Sequence, residues 1–249
     1  MFRATIFFRA TIFLLAVIFA ALGMPNSASA GQNVPAGYKI LDITLSPDHR
    51  YGVTVPETVP DVLTSNQNSL VEVETGRVLA VIQADTGYKF ANRNAVLPSR
   101  WAKDDSLLLW EVEGRWFDTA LVLLKLQKGA VAWQLDLLKA GQQASLALTK
   151  RAAPKKYLVA KEENRGSGSA YPDGFTIDVV AEGDKVVAEG DKTEPPSLPL
   201  KIRAYLTANP KEIEGHTNLY SRLDAVVDKD GKFRVTDFRL GVKQPDSRW

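Results

Sequence analysis

From Tyr38 to Leu137 the chain runs in short apolar stretches, YKILDITL, YGVTVPE, NSLVEVE, RVLAVIQ, AVLPSRW, SLLLWEVEG, TALVLLKLQ and AVAWQLDL, each closed by turn residues. The pattern predicts eight β-strands. Ser46-Pro47-Asp48, Thr75-Gly76, Lys103-Asp104-Asp105 and Lys128-Gly129 supply tight connections, which favour antiparallel neighbours and a meander. The next stretch, from Leu137 to Gly166, is rich in Ala, Leu, Lys, Gln and Glu and predicts helix. Asp136 is its N-cap, Gly166 its stop, and Leu137, Gly141, Ala144 and Leu148 fall on one face. Pro154 splits it, because proline is costly in a helix interior and welcome in a first turn. Runs such as LLLW and ALVLL leave apolar residues on both faces of the preceding sheet, so the helix is expected to cover it and to bury Leu148.

After Ser167 strands return as GFTIDVVAE, KVVAE, LPLKIRAYLTA, YSRLDAVVD and KFRVTDFRLGV. Asp228-Lys229-Asp230-Gly231 between the last two is the strongest hairpin signal in the chain. VVAEGDK stands twice in succession at Val179 to Lys192. Its Gly-Asp pair predicts a two-residue turn, so the duplication is read as one short added hairpin arm ending at Glu194-Pro195-Pro196.

A fainter repeat, offset by 56 residues, sets LSPDHRYGVTV and SLVEVETGRVLAVI against WAKDDSLLLWEV and ALVLLKLQKGAVAWQL. This text resembles the blade repeats of WD40-like β-propellers, in which a Ser-Pro-Asp-Gly turn leads into a strand. His49 stands where that pattern prefers glycine. Two blades cannot close a propeller, so an open twisted sheet or a small sandwich remains an alternative. The expected fold is mainly β, of the α+β class. It comprises a propeller-like antiparallel meander over residues 31–136, a helical connector over 137–165 and a C-terminal antiparallel β region over 166–249.

The first thirty residues change the picture of where the chain works. Arg3 and Arg9, the apolar run TIFLLAVIFAALG and the closing SASA form a secretory signal peptide, with cleavage expected after Ala30. FRATIF, duplicated at Phe2 to Phe13, lies inside it. The apolar run is shorter than the roughly 20 residues of a membrane-spanning helix, so no stable membrane insertion is expected after cleavage. Removing two of the 31 basic residues leaves 29 against 29 acidic ones. A neutral mature chain has no global field to draw in nucleic acid or an anionic membrane. Without cysteine there is neither a disulfide nor a lipidated cysteine.

The chemistry on offer is narrow. Only His49 and His216 are available as imidazole bases, no GxSxG occurs, and a zinc site is poorly supplied, so no metal and no cofactor are expected. The Asp228 loop lacks the glycine and glutamate of an EF-hand at its sixth and twelfth positions. Lys150, Arg151, Lys155 and Lys156 read as a solvated helix face. Glu111 and Glu113 project on one face of a strand, about 7 Å apart by strand rise, and could serve a glycan hydrolase. Trp101, Trp116 and Phe117 could supply its sugar platform. Finally, Ser167-Gly168-Ser169-Ala170-Tyr171 resembles the SGxxY loop of bacterial periplasmic and membrane-bound lysozyme inhibitors. That resemblance implies that Ser167 and Tyr171 enter a lysozyme cleft. The family's cysteine pair is missing here. The overall expectation is a periplasmic or secreted, non-enzymatic binding protein whose partner is a protein or a cell-wall glycan.

Overall fold

The computed structural model describes residues 34–57, 68–82, 95–96, 98–113, 118–165, 172–182, 194–209 and 213–245. Four strands open the fold, β1 (Tyr38–Ile40), β2 (Tyr51–Pro56), β3 (Ser69–Glu72) and β4 (Val78–Val81), antiparallel and in chain order. A second sheet holds β5 (Ala95–Val96), β6 (Arg100–Trp101), β7 (Leu107–Glu113), β8 (Asp118–Gln127) and β9 (Ala130–Asp136). Its order is β5-β7-β8-β9, with β6 also paired to β7. Among the described residues nine strands thus stand where eight were expected, because the run AVLPSRW divides into β5 and β6 around Pro98, which has no N–H for the ladder. The first run also stops early. Thr44 ends a short 3-10 helix, and its hydroxyl accepts from the N–H of Val53 at 3.0 Å, where a strand backbone would otherwise sit.

The turns before β2 and β7 have the same backbone, 56 residues apart. Ser46 N–H bonds the Tyr51 carbonyl and Ala102 N–H bonds that of Leu107, both at 2.9 Å. His49 N–H returns to Ser46 at 2.9 Å and Asp105 N–H to Ala102 at 3.0 Å. Asp48 Oδ1 and Asp104 Oδ1 each accept the N–H two residues on, from Arg50 and Ser106. His49 and Asp105 occupy equivalent left-handed positions, with φ of 60° and 56°. Glycine is the usual occupant there, and His and Asp are among the residues that tolerate it, so two different sequences form the same turn.

The central strands β7 and β8 are buried on both faces, and that accounts for their continuous apolar runs. Leu108, Trp110, Val112, Val122 and Leu124 pack with Tyr51, Val53, Val55 and Leu70 of the first sheet. Alternate residues Leu107, Leu109, Leu121 and Leu123 enter a second cluster with the helices and the C-terminal sheet.

That helical layer is α1 (Leu137–Ala152) and α2 (Pro154–Glu163), divided where expected, with Pro154 in the first turn of α2. Asp136 caps α1 by accepting from Lys139 N–H at 2.9 Å. The buried stripe of α1 is Leu137, Leu138, Gly141, Ser145 and Thr149. Ala144 and Leu148 are only partly buried, which corrects the expected face. The reason is tertiary. Gly141 lies under Val179, so close that a Cβ there would sit 2.9 Å from a Val179 methyl, and Thr149 Oγ1 hydrogen-bonds Ser221 Oγ at 2.7 Å. Both contacts turn the helix by about one residue from the Ala144–Leu148 line.

The C-terminal sheet is β10 (Thr176–Ala181), β11 (Leu200–Thr207), β12 (Tyr220–Val227) and β13 (Phe233–Leu240), antiparallel in chain order. Its inner face, Ile177, Val179, Ala181, Ile202, Ala204, Leu223 and Ala225, shares one cluster with α1, α2 and β7–β8. At the β12–β13 turn Asp228 Oδ1 accepts the N–H groups of Asp230 and Lys232, and Gly231 takes φ 77°. The first VVA of the doubled heptapeptide is the end of β10, paired with Ile202 to Ala204. Its second copy lies outside the described residues. The molecule is therefore mainly β, an α+β fold of three antiparallel sheets and one helical layer. No helix among the described residues is long and apolar enough to cross a membrane.

Candidate functional site

Ser167 and Tyr171 lie outside the described residues, but the chain on both sides of them is held in detail. Before them, Asn164 ends α2, buried, with its amide donating to the carbonyls of Ala160 at 2.7 Å and Ala208 at 2.6 Å. After them, Pro172-Asp173-Gly174 makes a tight turn in which Asp173 and Gly174 take φ of 55° and 81°. Gly174 is required there. A Cβ would stand 2.7 Å from the Asn164 side chain and 2.8 Å from its carbonyl oxygen. The two flanks of residues 166–171 therefore touch.

The returning flank is anchored by charge and by packing. Asp173 accepts from the Tyr157 hydroxyl at 2.5 Å and from Lys161 Nζ at 2.6 Å. Phe175, fully buried, meets the Tyr157 ring edge-on at 5.1 Å. Burial pushes the Tyr157 hydroxyl upward, and the Asp173 carboxylate beside it pushes further. For Asp173 burial also acts upward, but the hydrogen bonds from Lys161 and Tyr157 outweigh it and hold the carboxyl below its ordinary value. A third strap joins the same end of α2. Glu163 accepts from Thr217 N–H at 2.7 Å and from its hydroxyl at 3.1 Å, tying the β11–β12 connection to the helix.

The second pair of candidate residues sits on β7. Trp110 and Val112 face the first sheet, Glu111 is half-buried and Glu113 exposed. Glu113 lies across from Ala95 and Asp118, and the register shifts between Val112 and Glu113. The extra residue is on β8, where the pairing passes from Ala120 to Asp118, so β7 keeps its two-residue alternation and Glu111 and Glu113 share one face. The aromatic platform does change. Trp101 is 6% exposed, stacks on Tyr51 at 6.1 Å and gives its indole N–H to the Thr44 carbonyl at 3.1 Å, so it belongs to the core and not to a sugar site. Trp116 and Phe117 lie outside the described residues. His49 and His216 sit in separate turns, and no three His, Cys, Asp or Glu side chains among the described residues form a metal-holding group.

Comparison with known protein families, with curated proteins and with solved structures gives no match. The site must be read from its own geometry.

Two features escaped the sequence reading. The repeated turns bring Asp48 and Asp105 close enough for each carboxyl to act on the other. Burial and then the charge of Asp48 raise Asp105, while hydrogen bonds from Arg50 N–H and Ser46 outweigh burial and lower Asp48. The 56-residue repeat was the available signal, since it marks the two turns as equivalent. The other feature is an open groove of about 580 Å³ lined by Lys125, Gln127, Trp133, Lys229 and Asp230, between the β8–β9 hairpin and the β12–β13 turn. Only tertiary packing brings those segments together.

Proposed function

We propose that the protein is exported and acts by binding a macromolecular partner, with Ser167 and Tyr171 as its contact residues. The observation that supports this reading most is the clamp at the flanks. Asn164 against Gly174, and Tyr157 and Lys161 on Asp173, hold the two ends of a six-residue Ser/Gly-containing segment on a buried base. Fixed ends lower the ordering cost that a binding segment meets when it engages a partner. The resemblance to SGxxY inhibitor loops suggests the partner class, a cell-wall lytic enzyme with a concave active site. The same reading takes the two 56-residue units as blade-like repeats that act as a scaffold. It assigns no chemical step to this chain.

The test is direct. Exported wild-type protein should slow lysis of cell walls by at least one lysozyme class, and the pair Ser167→Ala with Tyr171→Phe should abolish the effect, because a few inserted anchors dominate such contacts. Equal inhibition by wild type and double variant would remove Ser167 and Tyr171 from the contact. No inhibition of any lysozyme class would remove the partner class.

A further inference from the structure

From Leu137 to Lys161 the chain contains no acidic residue and six cations, Lys139, Lys150, Arg151, Lys155, Lys156 and Lys161. Lys161 is engaged with Asp173. Lys150, Arg151, Lys155 and Lys156 are exposed around the α1–α2 joint, and none forms an ion pair with a described residue. Lys150 exerts only a longer-range pull on Asp173. On α2 the i, i+3, i+4, i+7 spacing places Lys155, Leu158, Val159 and Glu162 on one face, opposite the buried Tyr157 and Ala160. Leu158 is 59% exposed and Val159 50%, the two most exposed large apolar side chains among the described residues. Glu162, the acid on this face, is neutralised by Arg165 at 2.9 Å.

Helix stability does not explain this arrangement. Lysines in the first turn of α2 oppose the positive end of its dipole, and two adjacent aliphatic side chains in water contribute nothing to the core. We propose that this corner of the molecule docks on an anionic lipid surface. These four cations, in no ion pair with a described residue, meet phosphate headgroups, while Leu158 and Val159 enter the boundary between headgroups and acyl chains. A hydrated polyanion would use the cations equally well but would gain nothing from the exposed Leu-Val pair, and this pair selects lipid as the occupant. The contact is peripheral. It is also independent of whatever partner Ser167 and Tyr171 engage.

Cosedimentation of the exported protein with vesicles tests it, using phosphatidylglycerol mixed with phosphatidylethanolamine against phosphatidylcholine alone. Binding is expected to the anionic vesicles only and to weaken as salt is raised. Leu158→Ser with Val159→Ser, and separately Lys155→Glu with Lys156→Glu, should each reduce the apparent affinity by at least about tenfold. All four side chains are exposed, so circular dichroism should show both variants folded. Three results would each overturn the proposal: no binding to anionic vesicles, equal binding to phosphatidylcholine, or full binding by the Leu158/Val159 variant, which would leave polyanion attraction alone.

Discussion

The hydroxyl of Tyr157 donates to the carboxylate of Asp173 at 2.5 Å, and this bond joins the helical layer to the turn that follows the SGSAY segment. Lys161 holds the other carboxylate oxygen, one helical turn beyond Tyr157. Because the folded pKa of Asp173 is lowered, its contribution is present above the unfolded value and is lost as pH falls through the folded one. Asp173→Asn should therefore lower the melting temperature at pH 7, with the difference closing in acid below the ordinary carboxylate pKa of about 4. Thermal melts of both proteins across pH measure it. Tyr157→Phe keeps the Phe175 contact and should cost about 1 kcal/mol in urea unfolding at pH 7.

Asp105 should behave in the opposite sense. Its folded pKa is raised by burial and by Asp48, so its favourable contribution is complete at low pH and is lost as pH rises through the folded pKa. Asp105→Asn suits the left-handed φ of 56° and removes a half-buried charge of the same sign as Asp48. It should raise the melting temperature at pH 7 and make no difference at pH 3. A neutral-pH loss would show that the ionised carboxylate is needed.

Gly231 and Gly215 separate backbone strain from steric contact. Both have φ near 80°, but a Cβ at Gly231 would stand 2.7 Å from the Trp133 ring, while at Gly215 nothing lies within 4 Å. Gly215→Ala should cost about 1 kcal/mol and Gly231→Ala about 2–3 kcal/mol or more. Equal costs in denaturant unfolding would mean that Trp133 moves aside freely.

Leu137 is fully buried under the C-terminal sheet, and Leu148 is partly exposed beside it. Leu137→Ala should cost about 2–5 kcal/mol, the range for a core leucine, and Leu148→Ala less than about 2. Urea unfolding of the two variants checks the order, and a larger loss at Leu148 would restore the face first expected for α1.

Deleting one VVAEGDK copy leaves Val-Val-Ala to complete β10 against Ile202 to Ala204. Shortening the connection to β11 changes closure entropy only slightly, so stability should shift by less than about 1 kcal/mol. A loss above about 2 kcal/mol, on the scale of a core substitution, would identify the second copy as packed structure.

What the sequence determined by itself is local. Turn residues, the Asp136 cap, the break at Pro154 and the Asp228 hairpin were legible because each depends on the chemistry of a few neighbouring residues. The signal-like first thirty residues, a pattern of the same local kind, belong to the sequence alone. The 56-residue repeat was visible as text, and it places His49 and Asp105 in the same backbone position. Tertiary structure decided which side of each element faces what. The periodicity of LLLW and ALVLL announces burial without naming a partner. Only the packed sheets assign Leu108 and Trp110 to one cluster and Leu107 and Leu109 to the other. The same holds for α1, whose stripe follows Val179 and Ser221, residues distant in the chain. Trp101 was legible as an aromatic residue near two carboxylates, and only the Thr44 carbonyl and the Tyr51 ring make it core. The candidate site divides in the same way. Its SGSAY motif is sequence, and its clamp of Tyr157, Lys161 and Asp173 exists because folding brings the end of a helix against the start of a strand.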